Sequence, residues 1–236
     1  MKEIVNTIEK IKTIGSNNGK YTSFIKYCEA KKSGLRKEAF KSLKSFLDET
    51  DKWSEEEKRN FLIDIFQIIE ANDDDEVILP HPLKEFFIKV LRKWNEECKT
   101  DSRPYRWLGM FMGFEIEENS SELLKKAIEL GGESEQGAVK KLLVTYISGL
   151  DFDTHELPAS YLGDLEEDIK EFGEIIKTLN MLKDEELRLK LYEEIKYLQD
   201  LILDWNQFLK MNMKDFESWR KEQGKIIHKT IFHGLE

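Results

Sequence analysis

The feature that most constrains this chain is the spacing of its apolar residues, which recur every three or four positions along most of its length. Ile4, Val5, Ile8, Ile11 and Ile14 form one such stripe. Leu35, Ala39, Phe40, Leu43, Phe46 and Leu47 form another, and Phe61, Leu62, Ile65, Ile68 and Ile69 a third. That period is one face of an α-helix, whereas a half-buried strand alternates apolar and polar residues. The chain has 4 prolines and 13 glycines in 236 residues, too few to turn it every ~8–12 residues as a sandwich or barrel requires. Charged residues make up 36% against 40% hydrophobic, a balance that suits amphipathic helices better than fully buried strands. The expected fold class is all-α, with no sheet of three or more strands.

Start and stop signals divide the pattern into helices. Gly15 ends the first stripe, SNNGK turns the chain, and a helix carrying Phe24, Ile25, Tyr27 and Cys28 ends near Ser33-Gly34. Ser54 and Glu57 have the spacing of a capping box, in which the hydroxyl and the carboxylate each accept one orphan backbone amide. ANDDDEVILPHP breaks the chain because it ends in two prolines. Pro82 then suits the first turn of a helix running to about Cys98 through Phe86, Phe87, Val90, Leu91 and Trp94. Asp101 or Ser102 caps the next segment, RPYRWLGMFMGF. Gly131-Gly132 and Gly149 bracket GAVKKLLVTYI, and two long helices are expected over 164–182 and 184–209.

Helices of this length joined by short turns call for a search for repeats. GLRKEAFKSLKSFL places Gly34 five residues before Ala39; YRWLG places Tyr105, Leu108 and Gly109 at one, four and five; LLKKAIEL carries Ala127 near its end. AVKKLLVTYI is placed to open a further unit. On these segments the chain resembles the tetratricopeptide-like helical-repeat superfamily, most closely a bacterial group of undefined function, over residues 20 to 150. The resemblance implies antiparallel hairpins stacked as an irregular α-solenoid over 1–150; the helical periodicity beyond it gives a C-terminal long-helix hairpin or cap over 151–236, expected to pack on the repeat region as one continuous domain. The resemblance also implies that Gly109 lets a paired helix approach closely, with Tyr105, Leu108, Phe111 and Met112 filling the seam. Arg106 and Trp107 are the residues of that segment to consider for partner binding, because such side chains often anchor interfaces.

Charge and cysteine usage narrow the chemistry. A net charge of −10 repels phosphate backbones, so nucleic acid is not expected as a partner and a basic protein or peptide is favoured. Lys31-Lys32 through Arg36-Lys37, the densest basic run, reads as a solvated helix edge. Cys28 and Cys98 cannot form a disulfide framework, and Cys28 lies in an apolar stripe where a thiol is inert filler. Cys98, at a helix end, has no histidine placed to activate it. MKEIVNTIEKIKTIG has no apolar core and does not read as a signal peptide. No run approaches the ~20 apolar residues of a membrane helix. The expectation is a cytoplasmic protein that needs no cofactor and no membrane.

Catalytic patterns are sparse. GxSxG and GxGxxG are absent, and NNGKYTS lacks the first glycine of a phosphate loop. Asp73, Asp74, Asp75 and Glu76 lack the glycine and terminal glutamate of a calcium loop. His81 lies between two prolines, and His228 and His233 are five apart, off a common helical face. DFDTHE is the strongest candidate: in an extended segment Asp151, Asp153 and His155 point the same way and would share a divalent metal. Two functions are therefore expected for test. One is a non-enzymatic protein- or peptide-binding helical-repeat module of adaptor, regulatory or immunity type. The alternative is a metal-assisted hydrolase centred on Asp151, Asp153 and His155. A third use, self-association through Leu198, Leu201, Ile202 and Trp205, would make the chain a structural subunit.

Overall fold

The computed structural model describes residues 8–13, 19–71, 79–113, 115–212 and 214–225. Among these residues there is helix and no strand. The expected all-α class stands. The helices are α1 (Thr22–Lys32), α2 (Arg36–Thr50), α3 (Glu55–Glu70), α4 (His81–Glu97), α5 (Ser102–Phe111), α6 (Ser120–Gly131), α7 (Gln136–Thr154), α8 (Leu165–Asn180), α9 (Glu185–Lys210) and α10 (Phe216–Glu222). A short helical stretch at 8–13 precedes them. No helix among the described residues is long and apolar enough to cross a membrane. Most of ANDDDEVILPHP, including the acidic run Asp73–Glu76, and His228 and His233 lie outside the described residues.

The caps read from sequence form as expected. Ser54 accepts from the Glu57 backbone while Glu57 accepts from the Ser54 backbone, completing the box at the start of α3. Pro82 occupies the first turn of α4, where its missing N–H costs no intrahelical bond. Of Asp101 and Ser102, Asp101 caps α5; beyond the caps expected from sequence, Asp164, Asp184 and Asp215 cap α8, α9 and α10, each accepting from backbone amides of the first turn. A carboxylate there also meets the positive end of the helix dipole.

The chain divides into two compact units, 1–131 and 132–236. The division expected at 150/151 falls inside α7. Gly149 was expected to end that helix, yet α7 continues to Thr154. Leu150 is 2% exposed and the Thr154 hydroxyl donates to the Leu150 carbonyl. These contacts on the next turn outweigh the ~1 kcal/mol that glycine costs in a helix interior.

In the first unit consecutive helices pack in pairs, α1 with α2, α3 with α4, α4 with α5, and α5 with α6. Its core is a chain of aromatic rings. Phe24, Phe46 and Phe61 are all fully buried, with centroids 4.9–5.1 Å apart. Phe66 continues the chain toward Phe87 at 5.1 Å and Trp107 at 4.8 Å. Such pairs add about 0.5–1.5 kcal/mol each beyond burial of their area. Gly109 lies where α5 crosses α6: a Cβ built there would stand 2.9 Å from Leu124 Cγ and 3.0 Å from the Ser120 carbonyl oxygen. Leu108 and Met112 are buried beside it, so the mechanical reading of this glycine holds.

In the second unit α7, α8 and α9 pack against one another and α10 folds back on α9. Leu198, Leu201, Ile202 and Trp205 are between 0% and 8% exposed. They belong to the interior of this unit, which removes them as a self-association surface. Trp205, Phe208, Phe216 and Trp219 form its aromatic cluster. Beside that cluster, buried Asp204 accepts hydrogen bonds from Lys225 Nζ at 2.8 and 2.9 Å and forms an ion pair with Arg220, whose Nε lies 3.2 Å away.

Candidate functional site

Trp107, weighed from sequence as a partner anchor, is 0% exposed. Its indole stacks on Phe66 and Nε1 donates to Glu70 Oε1 at 2.7 Å. Arg106 Nε lies 2.8 Å from the same oxygen, and the guanidinium sits 5.3 Å from the Trp107 ring. Glu70 therefore ties α3 to α5 through both residues. Trp107 has no ring face left to present to a ligand, and most of the Arg106 side chain is covered as well, at 14% exposure.

The DFDTHE segment is the helical end of α7 and the turn after it, not an extended strand. Two residues along a helix turn roughly 200°, so Asp153 leaves the face shared by Asp151 and His155. Asp151, His155, Ser148 and Phe152 line a shallow hollow of ≈ 440 Å³. Ser148, Asp151 and His155 together invite comparison with a nucleophile relay, which needs an imidazole hydrogen-bonded to the serine. Here His155 Nδ1 contacts the Phe152 carbonyl and Nε2 lies 3.1 Å from Glu156 Oε1. Burial raises the Asp151 carboxyl above its ordinary range, partly offset by His155. Burial also raises Glu194, with Asp151 adding to the effect against Lys190.

Asp153 faces a different set of groups. A Cβ at Gly163 would stand 2.5 Å from Asp153 Cγ and 2.8 Å from Asp168 Oδ2, so the loop passes between two carboxylates. Burial raises the Asp153 carboxyl, and the Asp168 charge raises it further. Tyr161 donates its hydroxyl to Asp168, and burial with that acidic surrounding pushes its phenol upward. Among the described residues no group of three or more His, Cys, Asp or Glu is placed to hold a metal ion.

A hollow with an apolar lining and two cations lies on the α1–α2 hairpin. Gly34 turns the chain there in the left-handed region, at φ 71°. Its N–H donates to the Lys31 carbonyl and the Leu35 N–H donates to that of Ala30, the paired bonds of a Schellman cap. This turn sets Lys31 and Arg36 on either side of an apolar hollow of ≈ 260 Å³ lined also by Tyr27, Gly34, Ala39, Phe40 and Pro80. Lys31 Nζ sits 5.8 Å from the Tyr27 ring centroid, and the Arg36 guanidinium 5.8 Å from that of Phe40. Burial lowers the Lys31 ammonium below its ordinary range. Phe40 is 49% exposed and Leu35 51%.

Comparison with family models, with characterised proteins and with solved structures finds no match. The hollow was not read from sequence, because Leu35 and Phe40 counted as core in an apolar stripe. The buried stripe of α2 is Ala39, Leu43, Phe46 and Thr50, at steps of four, three and four. Phe40 lies roughly 100° round the helix from Ala39 and one turn beyond Arg36. An aromatic residue set off its own stripe beside a cation is the signal that marks this surface.

Cys28 is buried, and burial pushes its thiol up to about 12, as expected of a structural cysteine. Cys98 closes α4 with Arg59 Nη1 4.0 Å from its sulfur. His81 is exposed at the start of α4, 3.5 Å from Glu85.

Proposed function

We propose that the chain is a non-enzymatic helical-repeat module, of the tetratricopeptide-like kind, that holds a protein or peptide segment on its α1–α2 hairpin. One observation carries the reading: a half-exposed phenylalanine stands beside a side-chain-sized apolar hollow flanked by two cations. Packed aromatic anchors next to such hollows are where binding energy concentrates in protein interfaces. Pairwise packing of consecutive helices in the first unit supports the repeat reading, since stacked hairpins generate binding surfaces through their curvature. Adaptor, regulatory and immunity-type roles all use surfaces of this kind. No arrangement around Asp151, Asp153 or His155 favours the hydrolase, because Asp153 leaves the face that the other two share.

The test is parallel capture from native extract with the parent chain and with Phe40→Asp. Phe40 is half-exposed, so the variant should fold, which circular dichroism verifies. A protein retained by the parent and lost from the variant supports the module and its site. Identical retention by both would overturn the assignment to this hairpin.

A further inference from the structure

We infer that the α1–α2 hollow takes an acidic segment of another protein, seating one large apolar side chain against Phe40 and placing flanking carboxylates on Lys31 and Arg36. The inference rests on the module reading and adds the chemistry of the partner. Volume comes first: ≈ 260 Å³ falls below the ~300–1,000 Å³ of small-molecule and cofactor sites. It suits a single anchoring side chain.

Charge decides the rest. The net charge of −10 led to an expectation of a basic partner, but the hairpin has the opposite sign. Residues 26–44 hold seven Lys and Arg against two Glu. Two nearby cations are matched: Lys32 pairs with Glu9 at 3.2 Å and Lys12 with Glu29 at 2.8 Å. Lys31 and Arg36, the two that flank the hollow, have no carboxylate partner among the described residues. Lys31 is also partly desolvated, so an incoming carboxylate would meet less competition from water than at an exposed amine. Nucleic acid fits less well, since its binding grows with the number of phosphates neutralised and the hollow is apolar between only two cations.

The full chain would be titrated into dye-labelled peptides and followed by fluorescence anisotropy. The first peptide carries one Phe between pairs of Glu; the second replaces that Phe by Ala; the third replaces every Glu by Lys. Single-stranded oligothymidine and phosphatidylserine vesicles complete the panel. Binding is expected for the first peptide, weakening as salt rises. It should fall at least about tenfold when Phe is lost from the peptide or when the chain carries Lys31→Glu with Arg36→Glu. Equal or tighter binding of the Lys peptide, or an unchanged affinity in the double variant, overturns the inference. So does tighter, Phe40-dependent binding of the oligonucleotide or the vesicles. If the first peptide fails while capture still depends on Phe40, the acidic partner falls and the module reading stands. If capture is also indifferent to Phe40, both fall.

Discussion

Gly109 and Leu124 meet so closely that a methyl group at position 109 would stand 2.9 Å from Leu124 Cγ. The nearest backbone atom, the Ser120 carbonyl oxygen, would be at 3.0 Å, and it cannot swing aside as a side chain can. Gly109→Ala gains up to about 1 kcal/mol of helix propensity but crowds the α5–α6 crossing. Gly109→Leu should overpack it and lower stability by about 1–3 kcal/mol. Denaturant midpoints of the two variants check this, and a stabilised Leu variant would contradict the crossing.

Trp107 and Arg106 share one oxygen of Glu70, so the indole N–H matters as well as the ring. Trp107→Phe keeps an aromatic ring against Phe66 and removes one donor to a charged acceptor, with an expected cost of about 1–3 kcal/mol. Trp107→Ala also empties a fully buried site and should cost about 3–5 kcal/mol. Urea titration separates the two, and a Phe variant as stable as the parent would show that the hydrogen bond contributes little.

Asp204 is the carboxylate that faces Arg220, which is 3% exposed. Asp204→Ala leaves a buried guanidinium uncompensated, and losses of about 3–5 kcal/mol are usual in that situation. Asp204→Leu combined with Arg220→Met should recover most of that loss, because the buried charge leaves with its partner and Lys225, 39% exposed, can turn to solvent. Thermal unfolding of the single and double variants gives the comparison.

Asp153 supplies a dependence on pH. Its carboxyl is raised in the folded chain, so folding binds its proton more tightly than the unfolded chain does. The resulting penalty is absent below the unfolded value near 3.9 and develops as pH rises through the folded value. Asp153→Asn should therefore raise the melting temperature at neutral pH, and the gain should shrink as pH falls toward 4. A gain independent of pH would assign the effect to something other than the ionisation of Asp153, which burial and the Asp168 charge both oppose.

Much of this architecture can be read from the residues, because caps and stripes act locally. Ser54 with Glu57, Pro82 and Asp101 each satisfy or omit backbone groups within one turn, so their neighbours in sequence suffice. Gly109 was legible through a spacing pattern that implies a partner helix. Gly149 was not, since its helix continues on the strength of Leu150, whose burial depends on packing beyond the segment. DFDTHE misled for the same reason: alternation places three side chains together only in an extended chain. The hollow required knowing that Phe40 falls outside the stripe that α2 buries, a choice made by the helices packed against it.

Gly34 makes the opposite demand to Gly109. A Cβ built at Gly34 meets no atom within 4 Å, so the volume of a methyl group is immaterial there. The left-handed backbone at φ 71° is the whole requirement, and an L-residue pays roughly 1–2 kcal/mol to adopt it. About 0.4–1 kcal/mol returns because alanine restricts the unfolded chain. Gly34→Ala thus measures the mirror asymmetry of the polypeptide almost free of crowding, whereas Gly109→Ala measures crowding in a right-handed helix. Side by side in one chain, the two positions turn an alanine substitution into a gauge that separates chirality from volume.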